Sequence, residues 1–336
     1  MRKWKKPWFC GLCVVFLSIH LFGLGSTAEK VTTVRLSEVV RSVFYAPQYV
    51  AINKGFFAEE GLKINLSTAW GADKGAAALF SGSVDIGFFG PEAAIYVYDR
   101  GARRRLVAFA QLTKRDGSFF LAREPMPDFK WADVKGKVIV GGRPGGVPEM
   151  VMEYVLKANG VEPFTDVEII RNLQFTATAG AFQSGIGDFI QLFEPTVSAL
   201  ERAGYGYVVA SFGTAGGEVA YTAYHVRKDF LEKNGDLVQR FTNAIYKGQL
   251  WVQAHSVREI AEEIKGFFPD MDLDLILRAV QRYKDVDSWA RTPVMTEEAL
   301  NRLEDIMISA GELSRRVPYE ELVDNRFALQ AIREVK

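Results

Sequence analysis

Four short segments collect the residue types that hold a small molecule. Gly141-Gly142-Arg143-Pro144-Gly145-Gly146 sets four glycines around an arginine just ahead of a helical pattern. Glycines at a helix start expose backbone N–H groups at its positive end. Arg143, between Gly142 and Gly145, can clamp a carboxylate or sulfonate through two parallel hydrogen bonds. The same residues also make a plain strand-to-helix turn, with Arg143 in solvent or paired with Glu149. Trp70-Gly71-Ala72-Asp73 offers a ring, a glycine that admits a ligand, and a carboxylate to cap the next helix. Trp70 either stacks on a flat ligand or is a partly exposed surface aromatic. Gly90-Pro91-Glu92 opens a helix, with Glu92 on its positive end. Phe44 and Tyr45 follow a strand pattern, and Tyr45, close to Pro47, is the better candidate for a cleft wall. Glu194 ends an apolar run and can accept from an amine or ring N–H, or pair with a neighbour such as Arg202. Phe88 and Phe89 alternate across a strand, so at most one faces a cleft and the other is core.

Catalysis finds little to work with. Beyond residue 28 the chain has two histidines, His225 and His255, and no cysteine, short of a zinc set. Gly82-Ser83-Val84-Asp85 lacks the Gly-x-Ser-x-Gly of a nucleophile elbow. Gly136-Lys137-Val138 lacks the glycine spacing and Ser/Thr of a phosphate loop. No metal and no cofactor are expected.

The elements around these segments read as strands alternating with helices. Val34 to Val39 has the β-branched and polar mixture of a strand. Pro47 suits a first helical turn and Gly55 a left-handed C-cap. Leu62, Ile64 and Leu66 alternate with polar residues, Asp73 to Gly82 frames a helix, and Val84 to Phe89 is the short apolar run of a buried parallel strand. Three strand ends therefore meet helix starts, at Phe44–Pro47, Trp70–Asp73 and Gly90–Glu92, the edge where open α/β sheets bind ligands. A second unit opens at Trp131–Lys137, with strands at Val138–Val140, Val167–Ile170, Phe189–Phe193 and Tyr207–Ala210. After a strand-like Val219–Val226 the chain is helical. Ser256 and Glu259 make a capping box, Thr296 caps Glu297–Ala310, and this helical tail is expected to pack back on the first unit.

The segments "APQYVAINKGFFAEEGL" and "GSVDIGFFGPEA", the Lys135-Gly136-Lys137-Val138 run with Gly141-Gly142-Arg143 after it, and Glu194-Pro195 resemble, in order and spacing, the SsuA/THI5-like (NMT1/THI5-like) family of solute-binding proteins that serve ABC importers. The resemblance spans nearly all of the chain past its N-terminus. It implies an α/β, two-lobed periplasmic-binding-protein fold of type II. Each lobe would be an open, mostly parallel sheet flanked by helices, joined by crossovers near Leu112–Phe120 and Phe212–Tyr221. Lobe 1 would comprise residues 29–112 and 214–336, and lobe 2 residues 113–213. It also implies a monomer that captures a small-molecule solute and delivers it to the permease transmembrane subunits. Two ligand classes stay open: an anion such as a sulfonate on Arg143 and helix N-termini, or a flat heterocycle such as a pyrimidine on Trp70 and Tyr45, with Glu194 accepting from it. The alternative is a pyrimidine synthase of the THI5 kind on the same fold, but the cysteine-rich motif of those enzymes has no counterpart here.

At 336 residues, 48% of them hydrophobic, the chain can bury a large core in about two domains. Residues 1–28 have the order of a cleavable secretory signal: Arg2, Lys3, Lys5 and Lys6, an apolar run from Phe9 to Leu24, then Ser26-Thr27-Ala28. That run is shorter than the roughly 20 residues of a membrane span. Both cysteines, Cys10 and Cys13, fall inside it and neither follows a small residue, so a lipid anchor is not expected. Removing 1–28 takes four basic and no acidic residues from 41 of each, leaving a net charge of −4 on an extracytoplasmic protein. Such a chain has no nucleic-acid footprint.

Overall fold

The computed structural model describes residues 1–5 and 31–335. The apolar run, the cleavage-site residues and Cys10 and Cys13 lie outside the described residues. The body of the protein begins at Val31. No helix among the described residues is long and apolar enough to cross a membrane.

From Thr32 onward ten strands form two five-stranded sheets. The first contains β1 (Thr32–Glu38), β2 (Leu62–Thr68), β3 (Ile86–Phe89), β4 (Leu106–Thr113) and β10 (Thr222–Arg227), in the order β2-β1-β3-β10-β4. The second contains β5 (Ser118–Ala122), β6 (Val138–Val140), β7 (Glu168–Ile170), β8 (Phe189–Phe193) and β9 (Tyr207–Ser211), in the order β7-β6-β8-β5-β9. Within each sheet two neighbouring pairs are parallel and two antiparallel, because a single strand runs against the other four. That strand is β10 in the first sheet and β5 in the second. Each is the first strand laid down after the chain crosses between sheets, by way of residues 114–117 and 212–221. With helices against the sheets, this is the two-lobed α/β fold.

Local chemistry explains the element ends. Pro47 lies in the first turn of helix Ala46–Asn53, where its missing N–H is no loss. Gly55 (φ 77°) and Gly82 (φ 73°) take left-handed conformations where helices stop. Ser256 and Glu259 close the capping box of Val257–Ile264, and the Thr296 hydroxyl accepts from the Ala299 N–H at 3.2 Å. Asp73 is not the cap of Ala72–Ser81: Gly71 holds that position, and Asp73, one residue inside the helix, turns its carboxylate elsewhere.

Aromatic rings fill both cores. In lobe 1 Phe88 stacks on Tyr224 at 4.4 Å between centroids, and Tyr224 meets Phe241 edge-on at 5.1 Å. In lobe 2 Phe120 stacks on Phe189 at 4.9 Å and meets Phe212 at 5.3 Å. Phe89 is core as well, flat against His225 at 4.5 Å, so neither ring of the Phe88-Phe89 pair reaches a cleft.

The C-terminal helices reach beyond the first lobe, on which a packed tail is expected. Gly235–Ala254 and Arg326–Glu334 do pack there, against helix Ala46–Asn53 and strand β4. Leu273–Asp285, however, also lies on lobe 2 helix Thr196–Arg202, and Glu297–Ser309 lies on lobe 2 helix Val147–Ala158. Specific bonds fix these contacts. Arg282 ties Glu194 (2.7 Å) and Glu201, Arg302 donates to the Gly216 carbonyl (3.0 Å), and Lys157 donates to Ser309 (2.6 Å).

Candidate functional site

The carboxyl ends of the parallel strands of both sheets converge on one cavity of about 140 Å³. From lobe 1 come Val39 and Val40 after β1, Trp70 to Ala72 after β2, and Gly90 and Glu92 after β3. From lobe 2 come Gly141 to Arg143 with Gly146 to Pro148 after β6, Leu173, Phe175 and Thr178 after β7, and Gln191 and Phe193 of β8. Tyr45, Tyr221 and Thr222 close the hinge side. A cavity of about 150 Å³ accommodates benzene, so the space suits a single substituted ring.

Of the residues singled out from the sequence, Tyr45, Trp70, Gly90, Glu92, Gly142 and Arg143 line this cavity. Trp70 is 47% exposed and holds φ 59°, a left-handed conformation that is strained for a bulky side chain. Phe175, 38% exposed, stands on lobe 2, 6.0 Å from Phe193. Tyr45 is held edge-on against Phe88 at 4.5 Å.

Glu92 is the first residue of helix Glu92–Asp99 and is almost wholly buried. Burial pushes its carboxyl up to about 8, against the opposing pull of its own and the Ala93 backbone N–H groups and of Arg143. At neutral pH it is therefore mostly the neutral acid. Its Oε2 meets no hydrogen-bond donor within the protein. Gly90 leaves room for this carboxyl: a Cβ there would stand 2.0 Å from Oε2, so the Glu92 side chain would have to shift.

Arg143 carries its charge to lobe 1 rather than to Glu149. Its guanidinium donates to Asp73 Oδ1 at 3.1 Å, joining the two lobes. Glu149 is taken by Arg171 at 3.0 Å. Among the other bonds that join the lobes are those from the Tyr96 hydroxyl to the Gly145 carbonyl (3.0 Å) and from Ser42 Oγ to the Glu194 carbonyl (2.6 Å). The glycine-rich turn is a weaker anion cradle than its composition suggests, because the Gly141 and Gly146 amides already donate to Ile170 and Arg143.

Five of the expected residues lie outside the lining. Phe44 is fully buried behind Tyr45, 4.9 Å from Tyr283 and 5.6 Å from Tyr221, as packing for the hinge. Glu194 turns away from the cavity: its carboxylate accepts from Ser198 and from Arg282, while Arg202 pairs with Asp272. Asp73 and Gly145 serve the contacts between lobes, and Pro91 precedes helix Glu92–Asp99.

Sequence reasoning passed over Phe175, which obeys the strand-end rule already applied to lobe 1, and Gln191, which sits inside a strand. Phe175 follows β7, and Gln191 is the single polar residue of Phe189-Ile190-Gln191-Leu192-Phe193. It also passed over Glu38, at the end of β1 beneath the cleft. Glu38 accepts from Gln48 (2.9 Å), the Tyr49 hydroxyl (2.8 Å) and Arg41 (2.5 Å), fixing the strand end that leads into Val39 and Val40. Burial nonetheless holds its carboxyl above the usual range. At the first crossover buried Asp116 accepts from the Tyr221 hydroxyl (3.0 Å), the Ser118 N–H (2.6 Å) and Ser118 Oγ. Burial raises it to about 6.

The profile described as NMT1/THI5 like matches residues 43–259. YtlA of Bacillus subtilis (strain 168), whose name assigns it a binding role, is 43% identical over 328 residues, 98% of this chain and 98% of YtlA. Among solved structures, the alkanesulfonate-binding protein SsuA from Xanthomonas axonopodis pv. citri, bound to MOPS, matches with TM-score 0.70 and 17% identity, over 88% of this chain and 98% of that one. The periplasmic nitrate-binding protein NrtA from Synechocystis PCC 6803 matches with TM-score 0.70 and 17% identity, over 91% of this chain and 90% of its own. At such identities the two structures speak for the fold alone.

Proposed function

Because this chain belongs to the NMT1/THI5-like family, we propose that it is the extracytoplasmic solute receptor of an ABC importer and that its solute is a flat heterocycle bearing an amino group. The binding role in the name of YtlA supports the receptor role; a permease as partner and no chemical change to the solute are part of the same proposal. The ligand class rests on one observation: Glu92, almost wholly buried and with its Oε2 lacking a donor in the protein, lines a cavity walled by aromatic rings.

A neutral carboxylic acid donates from one oxygen and accepts at the other. That pair complements a ring nitrogen beside an exocyclic amine, as in a 4-aminopyrimidine. Trp70 and Phe175 line the cavity from opposite lobes, and in this reading the solute ring stacks on them. A sulfonate fits less well. Arg143 is the one cationic side chain in the lining among the described residues, and Asp73 already holds it.

Titration calorimetry at pH 7 tests the reading, with 4-amino-5-hydroxymethyl-2-methylpyrimidine against taurine, a linear alkanesulfonate and nitrate. The pyrimidine is expected to bind and to be recovered unchanged by mass spectrometry. Binding of a sulfonate or nitrate without the pyrimidine would overturn the ligand class, and a changed product would overturn the receptor role.

A further inference from the structure

The second polar group of the cavity sits on the opposite lobe from Glu92 and has only one orientation open to it. Gln191 is more than nine-tenths buried in the middle of β8. Both N–H bonds of its amide are spent inside lobe 2: Nε2 donates to Ser118 Oγ at 2.8 Å and to the Pro148 carbonyl at 2.8 Å. Turning the amide over would set its oxygen against the Pro148 carbonyl, two acceptors facing one another. The Ser118 hydroxyl is committed as well, because its proton goes to Asp116 Oδ1, leaving the serine oxygen as the acceptor for Gln191. The chain Gln191→Ser118→Asp116 therefore runs one way, and Gln191 Oε1 is the end left over. It meets no donor within the protein, and Gln191 lines the cavity.

We infer that Gln191 is the specificity-determining contact of lobe 2: a fixed acceptor that selects solutes carrying an N–H or O–H donor on a second position, away from the edge read by Glu92. The inference rests on the aminoheterocycle reading of the same cavity and narrows it. The solute offers a donor–acceptor pair to lobe 1 and a separate donor to lobe 2, and so bonds to both lobes at once. Ser118 and Asp116 are positioning residues, which act through the direction in which they hold the amide. A buried acceptor left without its partner costs binding, so a solute with a methyl group in place of the donor is disfavoured.

The test is a matched series: 4-aminopyrimidines carrying either NH2 or CH3 at ring position 2, 5 or 6, groups of nearly equal size. Each is titrated against the parent protein, Gln191→Met and Ser118→Ala. The parent is expected to prefer the amino over the methyl member by about tenfold or more at one of the three positions. Gln191→Met should erase that preference by weakening the amino member while leaving the methyl member bound. Ser118→Ala, which keeps Gln191 but leaves its amide held by the Pro148 carbonyl alone, should reduce the preference to a few-fold, a change of selectivity that mere loosening of the fold does not produce. It also carries the test if Gln191→Met fails to fold. A parent that binds the series with no amino preference at any position overturns this inference and leaves the ligand class standing. A preference that survives both substitutions also overturns it. A parent that binds no member of the series overturns both readings.

Discussion

Glu92→Gln separates a neutral Glu92 from an ionised one, because glutamine keeps the shape and cannot titrate. Burial lifts the Glu92 carboxyl from the ordinary 4.5 to about 8 in the folded chain. Between those values the folded state holds a proton that the unfolded state releases. The stability this group contributes is therefore complete below pH 4.5 and declines as pH rises toward 8. At about 1.36 kcal/mol per pH unit, the loss amounts to about 3 kcal/mol at pH 7 and approaches a ceiling of about 5 kcal/mol at higher pH. Urea unfolding of parent and variant at pH 5, 7 and 9 reads it directly. Glu92→Gln should gain on the parent by about 4 kcal/mol between pH 5 and pH 9. Asp116 and Glu149, raised by burial to about 6 and about 8, titrate in both proteins and cancel in the difference. The same pair tests the ligand. A glutamine amide also donates and accepts, as it does toward the amino and ring-nitrogen edge of adenine. The variant should thus bind the aminopyrimidine with an affinity unchanged from pH 7 to 9, while the parent loses up to about tenfold per pH unit above 8. Parallel stability curves for the two proteins would refute the buried neutral acid. A folded variant that binds nothing at any pH would refute the neutral pairing and point to a cationic solute.

Trp70→Ala should weaken solute binding several-fold through loss of stacking, about 0.5–1.5 kcal/mol, with an unchanged melting temperature; equal affinity by calorimetry would place the ring outside the site. Arg143→Ala and Asp73→Ala should show a coupling of about 0.2–1 kcal/mol in a double-mutant cycle, since both side chains are well exposed. Either should also increase the radius of gyration in small-angle scattering without solute, and an identical value would mean that the pair does not hold the lobes together. Mature protein from the producing cell should begin near Glu29, and an intact Met1 by mass spectrometry would refute cleavage.

The strands and the lobe 1 side of the site were legible because each depends on local pattern. Alternation marked β2, an apolar run marked β8, and the rule that ligands meet strand ends picked out Tyr45, Trp70 and Glu92. The rule fails where a strand end offers two directions. Glu194 stands one residue beyond β8, and the sequence holds no sign that Arg282, 88 positions later, draws its carboxylate to the hinge. Phe44 and Tyr45 are adjacent, and only the packing of Tyr221 and Tyr283 decides which one is buried behind the other. The docking of Glu297–Ser309 on lobe 2 was illegible for a related reason. An amphipathic helix announces that it has an apolar face, but not which surface will cover it.

The arrangement of the odd strand in each sheet sets a timetable for synthesis. β4 is buried along its whole length, and its ladder partner is β10, at residues 222–227. Its other backbone bridges reach Trp289 and Val323, later still. A chain growing from its N-terminus therefore makes all of lobe 2 while lobe 1 still exposes an apolar strand with nothing to pair with. The first lobe begun is the last one finished. A polypeptide ending at Ser211 should accordingly be cut readily by protease throughout 32–113, where the full chain resists. A protected fragment spanning that stretch would show that lobe 1 closes without its returning strand.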